Sequence, residues 1–294
     1  MAYPVIAAPY GLKPVNLLGG QVFAGSTRMY PIQYGFATNI FYGDFVRISP
    51  SAPGGMLARA AVSTGATVNQ TVGIFLGCSF TNPLTKQKQF QQFWPTGTLA
   101  GDAVAYVCDD PDTIFKAVVC SATTVVASGA KAMVGNNLSM IDNASVASSL
   151  NTGNSANAVL APTATPVLTS LPVRCVGVVE DTAVSYTASG SSSGTTITLT
   201  GTGLPAAIPV GTSVAYLAPN GQVIETGSFV TTAAAAGATS ITINAAIAVP
   251  GGVTAIPAAS TIIFTVYPEI LVKVNLGIHA YYTAVTNTAG TAVF

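Results

Sequence analysis

Few residues in this chain could do chemistry, and their spacing is poor. Of 294 positions ten are acidic and one is histidine, His279. One imidazole cannot build a two-histidine metal site. His279 has no acidic neighbour in sequence, so a satisfied structural role is expected for it. Asp109, Asp110 and Asp112 form the only acidic cluster. Such carboxylates could offer oxygen ligands to Ca²⁺, but Asp-Pro-Asp is also ordinary turn chemistry, and the turn is the reading adopted. A pair of acids flanking a sugar would have to come from Glu180, Asp181, Glu225 and Glu269, which are too dispersed to nominate one. Gly190-Ser191-Ser192-Ser193-Gly194 matches the nucleophile-elbow string. That elbow needs a strand before it and a helix after it, whereas the strand-like run Thr196 to Thr200 follows here.

Cys78, Cys108, Cys120 and Cys175 lie in separate apolar runs with no Cys-x-x-Cys spacing, which predicts buried thiols acting as small hydrophobes. Lys86 and Lys88 with Phe90, Phe93 and Trp94 are the nearest thing to a basic aromatic patch. Two lysines make no nucleic-acid footprint, so these aromatics read as a loop packed on a surface. The expectation is therefore no catalytic residue, no metal, no cofactor and no enzyme activity.

The elements that would position any site are weakly charged throughout. Asp, Glu, Lys and Arg make up 7% of the chain, against about a quarter in an ordinary soluble domain. Ten basic and ten acidic residues cancel, which argues against nucleic acid and anionic membrane as partners and favours self-association. The uncharged stretch from Thr226 to Pro268 is broken by Gly227, Gly237, Pro250, Gly251, Gly252 and Pro257. It holds no apolar run of the roughly 18 residues a membrane span needs. The first ten residues have no basic segment and carry Pro4 and Pro9, unlike a secretory signal. A neutral, mildly polar surface suits packing against other protein, because interface cores are depleted in charge.

Residues 1–28 read as an extended N-terminal arm. Pro4, Pro9 and Pro14 oppose helix and ladder formation, while Tyr3, Val5, Tyr10, Leu12, Val15, Leu17 and Leu18 supply apolar anchors. Those seven residues are the candidate assembly interface. The competing reading folds the arm back on its own domain.

From Met29 the pattern has period two, as in a half-buried strand. Further strands are expected at Phe45 to Ile48, Thr71 to Phe80, Val173 to Val179 and Ile270 to Val274. Ala103 to Cys108 and Thr113 to Val119, joined through Asp109 to Asp112, read as a hairpin. Residues 29–182 and 267–294 form a β-barrel-like base, loop-rich over 121–171, with one short helix near Ala144 to Leu150. Residues 183–266 contain a single charge, Glu225, and several short alternating runs, with Ser213 to Leu217 and Gln222 to Ile224 flanking a Pro219-Asn220-Gly221 hairpin turn. They predict a small β-sandwich inserted in the base, since loop tips tolerate insertion. The fold class is all-β.

The run Tyr10-Gly11-Leu12-Lys13-Pro14-Val15-Asn16-Leu17-Leu18-Gly19-Gly20-Gln21-Val22-Phe23-Ala24-Gly25-Ser26-Thr27-Arg28 and the following Ile32 to Val46 resemble virion structural proteins of tailed bacteriophages. Val173 to Gly177 and Tyr267 to Val274 fit the same likeness. The resemblance covers residues 8–48 well and the rest of the base loosely, and it includes no catalytic motif. It implies a capsid decoration or cement protein that binds the outside of the major capsid protein shell, with self-association as a trimer through the N-terminal arm. It places the protein on the capsid exterior of a virion assembled in the host cytoplasm. The chain is longer than the simplest such proteins. The alternative is a head-fibre or tail appendage whose inserted β-sandwich binds a receptor or glycan.

Overall fold

The computed structural model describes residues 8–49, 55–61, 71–120, 129–142, 150–161, 171–189, 194–201, 203–204, 207–208, 210–217, 221, 223–245, 256 and 259–281. The chain is all-β, with a nearly closed barrel-like sheet. In chain order the first strands are β1 (Lys13–Leu17), β2 (Arg28–Pro31), β3 (Phe45–Ile48) and β4 (Leu57–Arg59). They are followed by β5 (Thr71–Thr81), β6 (Lys88–Gln91), β7 (Val104–Cys108) and β8 (Thr113–Cys120). The middle of the chain supplies β9 (Gly129–Ala130), β10 (Asn137–Leu138), β11 (Met140–Ile141), β12 (Ala158–Leu160) and β13 (Val173–Val178). Then come β14 (Val184–Thr187), β15 (Thr196–Thr198), β16 (Ser213–Leu217), β17 (Val223–Phe229) and β18 (Ser240–Thr242). The last are β19 (Thr261–Phe264), β20 (Val266–Tyr267) and β21 (Glu269–Val274).

The chain divides into two compact units. In the larger, β2, β7, β5, β3 and β4 lie side by side in that order, with β6 also on β5. Its other sheet runs β10, β13, β21, β8, β12, β11, with β1 also on β8. Ile40, Val46, Leu57, Phe75, Phe80 and Trp94 belong to one of its buried clusters. Strand β5 is buried along nearly its whole length, which is why it reads as a continuous apolar run and not as an alternation.

The smaller unit spans Gly177–Ile270, with β9 packed into it through its pairing with β20. A four-stranded sheet ordered β14, β19, β16, β17 and a two-stranded ribbon of β15 and β18 share one apolar core. Ile197, Val214, Ile241, Ile262 and Phe264 are all at least 99% buried there. Strands β16 and β17 pair as the sequence leads one to expect, with Leu217 opposite Val223. This unit reaches beyond the 183–266 segment marked by charge depletion. Val179 N–H donates to the Glu269 carbonyl (3.1 Å), and Lys131 Nζ pairs with Glu180 (2.8 Å). Charge density changes at one place and the backbone ladder at another.

Two expectations are corrected. The β7 and β8 strands exist but do not form a hairpin. Strand β7 has β5 on one edge and β2 on the other, while β8 lies between β21 and the parallel β12 and also pairs with β1. A strand has only two edges, so neither has one left for its sequence neighbour. The alternation from Met29 to Phe36 yields only the four-residue β2, the chain turning at Gly35 with φ near 67°. Most of the short helix expected near Ala144 to Leu150 lies outside the described residues.

Candidate assembly surface

The arm is another place where structure overrides the local sequence reading. Tyr3 and Val5 lie outside the described residues. From Ala8 on, the segment is built into the larger unit. Gly11 N–H donates to Asn157 O (3.2 Å), and Leu12 N–H donates to Gly43 O (3.2 Å). The backbones of Gly11 and Gly43 approach so closely that a Cβ on Gly43 would stand 2.7 Å from Leu12 N. Both glycines also hold positive φ, 77° and 90°, so no other residue type fits without strain. Leu12 is consequently 0% exposed, a core residue and not an interface anchor.

Residues 13–17 then form β1, antiparallel to β8, with Lys13 opposite Lys116 and Leu17 opposite Thr113. Pro14 opposes ladder formation because it lacks an N–H, yet it is accommodated at a register shift between Pro14 and Asn16. Tyr10 is half-buried, its ring centroid 4.3 Å from Lys13 Nζ and 5.8 Å from Lys116 Nζ. The chain reverses after Leu17. Gly20 N–H donates to Leu17 O (3.1 Å), Leu17 N–H to Gln21 O (2.7 Å), and Asn16 bridges Val22. Leu18 N–H donates to Asp112 O (2.8 Å), tying the tip to the β7–β8 turn.

Of the predicted anchors, this hairpin exposes Val15 (44%) and Leu18 (52%), while Leu17 is half-buried. It adds Val22, 80% exposed, which sequence reasoning missed. Farther along, Met29 on the edge strand β2 is 65% exposed. The signal for Val22 was present as an apolar residue two positions after a Gly-Gly turn, but exposure cannot be read from one residue's type.

The acidic residues go to separate partners. Asp109 Oδ2 takes an ion pair from Arg28 Nε (3.0 Å) and hydrogen bonds from the Tyr30 (3.2 Å) and Tyr281 hydroxyls. Burial, reinforced by Asp109, pushes the Tyr281 phenol far up. Asp110 accepts from Asp112 N–H (2.8 Å), and Asp112 pairs with Lys273 (2.6 Å). This is turn chemistry. Among the described residues no group of three His, Cys, Asp or Glu side chains is placed to hold a metal ion.

His279 is 2% exposed. Its Nδ1 accepts from Tyr281 N–H (3.3 Å), which leaves the proton on Nε2 to be donated to Asp109 O (3.1 Å). Burial lowers its pKa, only partly opposed by Asp109. All four cysteines are buried. Burial pushes the thiols of Cys78 up to about 12 and of Cys108 and Cys120 up to about 11, so thiolate, the nucleophilic form, is scarce at neutral pH. Residues 190–193 of the elbow string lie outside the described residues. The Lys86–Trp94 patch dissolves on folding: Lys88 pairs with Asp102 (3.0 Å), Phe93 stacks on Phe41, Trp94 is fully buried, and only Phe90 stays well exposed among the aromatics.

One polar cluster escaped sequence reasoning. Asp44 is 0% exposed and its carboxylate is saturated. Oδ1 accepts from Ser155 Oγ (2.6 Å) and Asn157 Nδ2 (3.2 Å), while Oδ2 accepts from Phe41 N–H (2.8 Å) and Arg59 Nε (3.1 Å). Arg59 also reaches Asp142 (2.5 Å) and Asn157 Oδ1 (3.3 Å). Burial raises the Asp44 pKa despite these partners. Burial also opposes the Arg59 charge, but Asp44 and Asp142 together raise its pKa. The cluster thus offsets a desolvation cost and pins Asp142, Ser155 and Asn157 beside β3 and β4. A charge inside an apolar run, as in Leu57-Ala58-Arg59-Ala60-Ala61, was the available signal.

Among the described residues no helix is long and apolar enough to cross a membrane. Comparison with protein-family models, with curated proteins and with solved structures found no match to this chain.

Proposed function

We propose that this chain is a structural protein of a tailed-bacteriophage virion, bound to the outside of the capsid as a decoration or cement protein. The observation that carries the reading is the 13–22 hairpin. A backbone fixed by its own ladder holds Val15, Leu18 and Val22 out to solvent, in a chain of zero formal net charge. Ordering such side chains in advance lowers the entropy cost of association. The partners in this reading are the major capsid protein and further copies of the chain as a trimer. The Gly177–Ile270 unit, a four-stranded sheet and a two-stranded ribbon around one core, is read as the inserted sandwich. Binding only the assembled lattice would shift it away from disassembly by mass action.

The test is particle occupancy. Leu18→Ser with Val22→Ser should lower it at least tenfold with no change in thermal stability, and Lys13→Ala should lower it far less. Occupancy should hold across an NaCl series, since apolar burial is not screened as exposed ion pairs are. Stripping by moderate NaCl alone, or normal occupancy of the double variant, would overturn the reading.

A further inference from the structure

Strand β5 changes partners along one edge. Its first half pairs with β3, Phe45 opposite Ile74, and its second half with β6, Gln91 opposite Cys78. Between these ladders the register against β7 also shifts, between Phe75 and Gly77. An open groove of about 630 Å³ lies there, within the roughly 300–1,000 Å³ usual for ligand sites. Gly77 is part of its lining. Its φ is 142°, and a Cβ there would stand 3.0 Å from Gln91 O, so both conformation and contact exclude a side chain.

Three aromatic residues line it. Tyr106 is the register partner of Gly77 and donates its hydroxyl to Ser79 Oγ (3.1 Å), which fixes the ring. Tyr42 is half-buried, and Phe90 is 73% exposed. Gln92 adds an exposed amide whose Nε2 donates to Asn154 Oδ1 (2.9 Å). Among the described residues of the lining, only Lys13 is charged at neutral pH, and its ammonium lies against the Tyr10 ring.

From this set we infer that the groove binds a neutral oligosaccharide, an activity that does not depend on the capsid reading. A pyranose presents an apolar C–H face bordered by hydroxyls. Aromatic π faces are negative and attract such C–H groups, and a carboxamide both donates to and accepts from hydroxyls. A phosphate or carboxylate ligand calls for several convergent cations, where the lining offers one. A purely apolar ligand calls for enclosure, where this groove is open.

The full chain is titrated separately with cellohexaose, maltohexaose and the N-acetylglucosamine hexamer, with hexagalacturonate as the acidic control, by calorimetry and amide chemical shifts. At least one neutral probe should bind with Kd below about 1 mM, shift the amides of Leu76, Gly77 and Gln92, and be insensitive to NaCl. Phe90→Ala, at an exposed position, should weaken that binding at least tenfold with an unchanged melting temperature, and Lys13→Gln less than twofold. The inference is overturned if no neutral probe binds by about 10 mM. It is equally overturned if only the acidic control binds, if the shifts fall in the 177–270 unit, or if Phe90→Ala binds as tightly as the parent chain.

Discussion

The two units stabilise themselves by different means. Residues 177–270 contain four acidic residues, Glu180, Asp181, Glu225 and Glu269, and no Lys or Arg. Their core is built from Ile, Val and Phe on opposed strands, and a buried hydroxyl there is served by a neighbouring strand's backbone, Thr226 Oγ1 donating to Val214 O (2.6 Å). The larger unit buries a guanidinium between two carboxylates and ties distant loops to it. A regular sheet satisfies its backbone by its own ladders. Irregular segments such as 39–44 and 153–157 cannot, and there Asp44 and its partners take over. The difference teaches that a buried charge cluster can close irregular backbone which strand ladders do not reach, as Asp44 does for Phe41 N–H.

Three perturbations probe that contrast, from the largest expected effect down. Arg59→Met would leave Asp44 buried without its cation, and breaking a buried pair in this way costs about 3–5 kcal/mol. Hydrogen exchange should then show lost protection over Phe45–Ile48 and Leu57–Arg59 while Ser213–Leu217 keeps its own. Equal loss in both would mean that one cooperative core spans the chain, and the contrast would fail. Ile241→Ala removes a side chain 1% exposed and should cost about 2–5 kcal/mol through the cavity left behind. The pattern of exchange should be reversed, with Ser213–Leu217 losing protection and β3 unaffected.

The smallest effect concerns pH. Burial holds the His279 pKa below its ordinary 6.5, so near that value the unfolded chain binds more protons than the folded one. Stability then rises with pH: the contribution is complete above pH 6.5 and is lost as pH falls through the lowered folded value. Melting temperature should decline on acidification from pH 7 to 5, and His279→Gln, which keeps a donor toward Asp109 O, should flatten that slope. An unchanged slope in the variant would assign the decline to other groups.

The element types followed from local pattern. Strand β16 at Ser213–Leu217, its return in β17, and β3 at Phe45–Ile48 lie where alternation and turn residues put them, because side-chain period and turn chemistry are properties of neighbouring residues. The buried state of the four cysteines was legible for the same reason, since each sits in an apolar run.

Pairing was not legible. Asp109 to Asp112 reads as a hairpin turn, but whether two strands pair depends on which edges other strands have already taken, and β5, β2, β1, β12 and β21 had taken them. The Pro-rich start reads as an arm by itself, yet Leu12 is buried because Gly43, thirty-one positions later, supplies a backbone close enough to enclose it. Asp44, Arg59 and Asp142 are ordinary polar letters until folding brings them together. Local pattern determined that this protein is β-rich, and composition that it is neutral and poor in chemistry-bearing groups. Only tertiary structure decided which strands meet, which apolar residues face water and which charges are buried, because those outcomes depend on contacts between residues far apart in the chain.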